Sequence, residues 1–121
     1  MCTAATYMTD DFYFGRNLDY EFTYGESVTV VPRSFKFGGA VADHGFALIG
    51  TAHIRDGYPL FYDAANERGV CMAGLNFVGN AVYYAKRDDK KNAAQYELIP
   101  FILRQCATAA DARQILNDIN I

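Results

Sequence analysis

The chain has 121 residues, enough for one domain with a real core. Its 51% apolar and 15% aromatic content, nine Tyr and nine Phe with no Trp, argues against disorder. A formal net charge of −3 leaves no electrostatic footprint for nucleic acid.

In chain order, residues 2–8 alternate small and β-branched side chains and read as a strand, Thr9-Asp10-Asp11 as a turn, and residues 12–19 as the return strand. Gly15 inside that strand predicts a bulge or a close backbone approach. After a mixed aromatic loop, residues 28–32 form a strand that Pro32 stops. Phe37-Gly38-Gly39 and Ala42-Asp43-His44-Gly45 are turn chemistry. Residues 46–52 are apolar at nearly every position, the pattern of a strand covered on both faces. Asp56-Gly57-Tyr58-Pro59 is a further turn, residues 60–65 a strand, Asn66-Glu67-Arg68-Gly69 a tight turn, and residues 70–77 the next strand. Tyr83 and Tyr84 sit in a short run with no evident partner, and the charged run at residues 86–91 reads as a solvated loop. Residues 96–107 then carry apolar side chains at helical spacing, with Pro100 tolerable only in the first turn. Thr108-Ala109-Ala110-Asp111 is a capping-box-like start, with Asp in place of the usual Glu or Gln. The second helix, residues 109–117, places Ala112, Ile115, Leu116 and Ile119 on one face. No closing element comes after it. A strand-rich block over residues 1–86 and two helices over about 96–120 describe an α+β chain with helices on one sheet face.

Cys2, Cys71 and Cys106 form no C-x-x-C, and His44 and His53 stand alone, so the spacing offers no zinc site. An odd cysteine count suits a reducing compartment. No apolar run reaches the ~18 residues of a membrane span. No charged and apolar leader opens the chain, so the expectation is a soluble cytoplasmic protein with no membrane partner.

The first residues carry the chemistry. Once Met1 is removed, Cys2 holds a thiol and a free α-amine on one residue. With reference values near ~8 for the amine and ~8.5 for a thiol, the amine can serve as base for its own thiol. If residues 12–19 pair back as a hairpin, Arg16 and Asp19 come near that thiol. A cation there favours thiolate, and a carboxylate holds the ammonium. The same residues also fit an ordinary strand cysteine and a common surface Arg-x-x-Asp pair.

Met1-Cys2-Thr3, Phe14-Gly15-Arg16-Asn17-Leu18-Asp19, Val31-Pro32-Arg33, Asp56-Gly57-Tyr58-Pro59, Asn66-Glu67-Arg68-Gly69 and Ala73-Gly74-Leu75-Asn76-Phe77 follow one another in order. Together they make the chain resemble, over essentially its whole length, the choloylglycine hydrolase family of bile salt hydrolases and penicillin V acylases. The resemblance implies the N-terminal-nucleophile αββα four-layer sandwich, of which these residues would form the N-terminal part. It matches Cys2 to the nucleophile, Arg16 to the arginine beside the thiol, Asp19 to the carboxylate orienting the amine, and Asn76 to an oxyanion donor. On its residues alone Asn76 reads first as a strand-end asparagine capping a turn into Gly79-Asn80. Leu18, Tyr20, Tyr24 and Phe77 would flank the acyl pocket, or else serve as core and loop side chains.

The implied reaction is hydrolysis of a linear amide with no metal or organic cofactor, on a conjugated bile salt or penicillin V. Asn76 is the family's more typical bile salt residue at that position, whereas Arg55 stands where those enzymes often place a bulky apolar side chain. Family members run to more than twice this length, and their second half supplies another asparagine and another arginine. The full-length protein would be a homo-oligomer, a tetramer. The expectation is therefore a fragment of such an enzyme or a truncated gene product. The latter would be a catalytically inactive remnant with at most a binding or scaffolding role. A thiol redox protein would need a resolving cysteine, and neither Cys71 nor Cys106 has the spacing for one.

Overall fold

The computed structural model describes residues 2–76 and 79–121. Strands β1 (Thr3–Met8) and β2 (Phe12–Asn17) form an antiparallel hairpin, in register from Thr3 opposite Asn17 to Met8 opposite Phe12. The Thr9-Asp10-Asp11 turn closes it, with the Thr9 N–H donating to the Asp11 carbonyl at 2.9 Å. The bulge expected at Gly15 is absent: the register runs unbroken, and a Cβ there would meet nothing within 4 Å. Among the described residues no atom crowds the place of a side chain at Gly15, so nothing there requires the extra space.

Four further strands make an antiparallel meander in sequence order: β3 (Ser27–Val31), β4 (Leu48–Arg55), β5 (Tyr58–Asn66) and β6 (Cys71–Ala73). Asp56 and Gly57, with φ of 51° and 79°, are the two central residues of the β4–β5 turn, and positive φ at both is what a tight hairpin needs. The turn is shorter than the sequence reading: Tyr58 and Pro59 already pair with Arg55 and Ile54. Asn66 ends β5 and organises both the β5–β6 turn and the helix packed behind it. Its Oδ1 accepts from the N–H groups of Arg68 and Val70, both at 3.0 Å, and its Nδ2 donates to the carbonyls of Leu103 and Cys106, both at 2.8 Å.

Those last two bonds dock the helical layer. A 3₁₀ turn at Gln95–Glu97 leads into α1 (Leu98–Leu103), with Pro100 in its first turn, where a missing N–H costs nothing. Residues 99–103 are all buried. The helix stops earlier than the expected residue 107. The carbonyls at and just past its end are taken by other elements instead: Leu103 and Cys106 by Asn66 of β5, and Arg104 by the Phe46 N–H of the β3–β4 connection at 2.9 Å. Arg104 itself is buried, and its guanidinium donates to the carbonyls of Pro32, Arg33, Phe35 and Phe46 at 2.7–3.1 Å, pinning the β3–β4 connection. Glu97 does similar work on the same connection, accepting from the Ala40 N–H at 3.0 Å. Gly39 suits that place, with a φ of 61° that L side chains rarely adopt and no Cβ to push the Glu97 carboxylate aside.

Thr108 caps α2 (Ala109–Ile115) as its sequence indicates. Its hydroxyl accepts from the Asp111 N–H at 3.1 Å, and the Asp111 carboxylate accepts from the Thr108 N–H at 2.9 Å. The helix ends two residues short of the expected 117. Ala112, Ile115 and Ile119 reach the core, but Leu116 is exposed. Two expectations fail at the chain's end. Part of the charged loop becomes β7 (Lys91–Asn92), which pairs in parallel with β8 (Ile119–Asn120), so a closing element exists. Tyr84 finds its partner in the same place, donating its N–H to the Ile121 carbonyl at 3.0 Å.

The core lies between the sheet and α1: Val31, Leu48, Ala52, Phe61 and Ala64 meet Ile99, Phe101, Ile102 and Leu103. Among the described residues the opposite sheet face is open, whereas residues 46–52 read as a strand covered on both faces. Val28, Val30 and Ile49 are 76%, 67% and 51% exposed on it.

Candidate active site

Cys2 directly precedes β1, and Leu18 and Asp19 directly follow β2, so the hairpin brings both ends of the motif to one edge. Cys2 is buried and lines a cleft of about 510 Å³ together with Asp19, Tyr20, Glu21, Phe22, Tyr24 and Asn76. Asn76 comes from the segment after β6. The sequence pattern carries that strand to residue 77, but it ends at Ala73, which leaves Asn76 on an exposed loop facing the cleft.

Aromatic side chains make one wall. Tyr20 meets Tyr24 edge-on at 6.0 Å between ring centroids and Tyr62 at 5.9 Å, while Tyr24 also touches Phe22 at 4.8 Å and His53 at 6.4 Å. A local turn presents Tyr24. Glu26 accepts from the Thr23 hydroxyl at 2.5 Å and the Tyr24 N–H at 3.1 Å, and these bonds hold its carboxyl below the usual range. The Tyr20 phenol is pushed above its ordinary value by burial first and then by Cys2, and Arg16 pulls it back. Tyr20 thus lies within electrostatic reach of both the thiol and the guanidinium.

Arg16 does not line the cleft. Its buried guanidinium turns toward the sheet, donating through Nη1 to Asp63 Oδ2 at 3.4 Å and through Nη2 to the Gly74 carbonyl at 3.1 Å. Among the described residues, no group of three or more His, Cys, Asp or Glu side chains converges as a metal site would.

The choloylglycine hydrolase family of linear amide C–N hydrolases matches residues 2–121. The chain belongs to that family. It is 43% identical to a bile salt hydrolase/transferase of Lactiplantibacillus plantarum and 35% identical to a conjugated bile acid hydrolase of Lactobacillus gasseri. Each match takes in all of this chain but only 38% and 40% of the relative, so the chain spans about two fifths of their length. The crystal structure of the C2A mutant of conjugated bile acid hydrolase from Clostridium perfringens superposes with a TM-score of 0.88 at 30% identity, covering 100% of this chain and 39% of that one. The fold is accordingly that of the N-terminal part of the family's N-terminal-nucleophile αββα sandwich. No helix among the described residues is long and apolar enough to cross a membrane.

Of the residues singled out from the family resemblance, Cys2, Asp19, Tyr20, Tyr24 and Asn76 meet at one cleft and Arg16 lies behind it. Leu18 is half-buried and off the cleft's lining, and Phe77 lies outside the described residues. The sequence reading missed Tyr62 and Asp63. Consecutive strand residues ordinarily face opposite ways, so no pattern in the sequence places both of them on this side.

Proposed function

We propose that this chain is the N-terminal part of a single-domain amidase that removes glycine or taurine from conjugated bile salts, with Cys2 as nucleophile. The observation that carries the reading is the cleft in which Cys2, Asp19 and Asn76 meet beside an aromatic wall suited to a steroid face. The names of the relatives favour bile salts over penicillin V.

With Met1 removed, the Cys2 α-amine takes the thiol proton and the sulfur attacks the amide carbonyl. A tetrahedral oxyanion forms, toward which Asn76 offers its side-chain N–H while Asp19 orients the ammonium. Collapse breaks the C–N bond, and the ammonium proton passes to the departing nitrogen of glycine or taurine. Water, deprotonated by the regenerated amine, then cleaves the thioester. The remaining oxyanion donor and a second arginine come from further chain, and the three free cysteines fit the cytoplasm.

Release of glycine or taurine from glycocholate and taurocholate, with penicillin V run in parallel, tests this. The 121-residue chain alone is expected to be inactive, because one missing oxyanion donor costs ~100- to 1,000-fold. A version extended to the relatives' length should turn over bile salts, and Cys2→Ser in it should lose at least ~100-fold, about 2.7 kcal/mol in the barrier. Near-normal turnover by the serine variant, or by protein that retains Met1, would remove Cys2 from the proposed role. Faster cleavage of penicillin V would move the chain to the other branch of the family, and inactivity of the extended protein would leave the inactive-remnant reading.

A further inference from the structure

The register between β4 and β5 slips at one point: Thr51 pairs with Asp63, but Ala52 pairs with Phe61, so Tyr62 has no partner on β4. This is a β-bulge, with one residue too many on β5. Its consequence can be read from burial. Phe61 and Ala64 both lie in the core against α1. In a regular strand residues three apart would face opposite sides. The extra residue lets both face the helices and leaves Tyr62 and Asp63 together on the other side. There Tyr62 stacks on Tyr20, and Asp63 meets Arg16.

Asp63 is 8% exposed and divides its carboxylate between two tasks. Oδ1 accepts the Thr51 N–H at 3.2 Å, which fixes the carboxylate to the sheet at the bulge, and Oδ2 accepts from Arg16. The other end of the Arg16 fork holds the Gly74 carbonyl, two residues before Asn76. Arg16 pairs with Ala4 across the hairpin, so it shares a hairpin face with Cys2, one diagonal step away. The guanidinium therefore ties the hairpin that carries Cys2 to the segment that carries Asn76. A buried guanidinium with its counter-charge removed is costly and will leave its site.

We propose that Asp63 is a positioning residue. Acting through Arg16, it holds the hairpin end with Cys2 against the Asn76 segment, and the β5 bulge is the device that turns it to that side. This rests on the amidase reading for its purpose, but its test does not need turnover.

The experiment is alkylation of Cys2 by iodoacetamide in the 121-residue chain, followed peptide by peptide from pH 5 to 9. The variants are Asp63→Asn, Arg16→Ala and the double variant, with Cys71 and Cys106 as internal controls. Asp63→Asn keeps an acceptor for Thr51 and puts an NH2 donor where Oδ2 accepts from Arg16, so the charge and the Arg16 bond are lost together. Each single variant should slow Cys2 alkylation at pH 7 by at least ~3-fold, because the positive charge one diagonal step from Cys2 on the hairpin is gone or displaced. The double variant should be no slower than the slower single one, since both remove the same contact. Cys71 and Cys106 should keep their rates.

An unchanged Cys2 profile in Asp63→Asn overturns the proposal, as does a double effect equal to the product of the two singles. Faster alkylation of all three cysteines would show a merely structural role and overturn it too. If Asp63→Asn fails to melt cooperatively, Asp63→Glu takes its place. That variant keeps the charge one methylene too far out, and it must still slow Cys2 alone. Non-additive rates here, together with no amidase activity in the protein extended to the relatives' length, would sink the amidase reading and leave the positioning role standing.

Discussion

On one side of the four-stranded sheet Leu48, Ala52, Phe61 and Ala64 are sealed beneath α1, while on the other Val28, Val30 and Ile49 face water beside Tyr62 and His53. Both sides bury charged groups, but they satisfy them differently. On the helix side Arg104 and Glu97 bond to backbone carbonyls and N–H groups of the β3–β4 connection, so they fix a loop. On the open side Arg16 meets a carboxylate and a carbonyl 47 and 58 residues further along the chain, so it fixes the distance between two parts of a site. Stability should therefore be concentrated on one face and chemistry on the other.

The largest effect that can break this division is a cavity under the helix. Leu103 is fully buried. Leu103→Ala should cost about 2–5 kcal/mol, the transfer of the lost methyl and methylene groups plus the void they leave. Urea denaturation measures it. Below the transition, Cys2 alkylation should keep its rate. A cost under ~1 kcal/mol would mean that the helix side is not where stability resides. A changed Cys2 rate in the still folded variant would show that the two faces are coupled.

How much of this was legible in the sequence depends on the range of the interaction involved. The hairpin, the turn at Asp56-Gly57 and the Thr108 cap are set by neighbours a few positions away, and each could be read, although the turn reads two residues too long. The end of α1 could not, because the side chain that takes its last carbonyls, Asn66, lies 37 and 40 residues earlier. The parallel pair β7–β8 has two residues per strand, too short for any alternation to show. The candidate site divides in the same way. Cys2, Arg16 and Asp19 were legible because the hairpin that gathers them is local. Asn76 was legible only through resemblance, and Asp63 was hidden by a bulge, which looks in sequence like any other strand residue.

A smaller effect sharpens the contrast within the helical layer. The α2 helix is only about two turns long, with mostly exposed side chains, and its capping box satisfies N–H groups that would otherwise be free. Thr108→Ala should cost about 1 kcal/mol, within the 0.5–2 usual for caps, and Thr108→Ser should restore most of it. Equal losses in both variants would assign the effect to the threonine methyl and not to the cap.

The smallest expected effect is on the open face. Val30 stands opposite Ile49 across β3 and β4, and Val28 opposite Thr51, and both valines and Ile49 are largely exposed among the described residues. Val→Thr exchanges a methyl for a hydroxyl on a β-branched side chain, so strand preference is nearly kept. A buried hydroxyl without a partner would cost ~1–3 kcal/mol, whereas one in water costs little. Val28→Thr and Val30→Thr should each therefore change stability by less than ~0.5 kcal/mol and should raise solubility, because an open apolar sheet face invites association. Both can be read from urea titration alongside sedimentation at rising concentration. A loss near 1 kcal/mol or more for either variant would show that this face is covered in solution, by a second copy or by further chain. The site would then lie between two layers and not at a surface. The open cleft at Cys2 would in that case be only part of the pocket that a substrate meets.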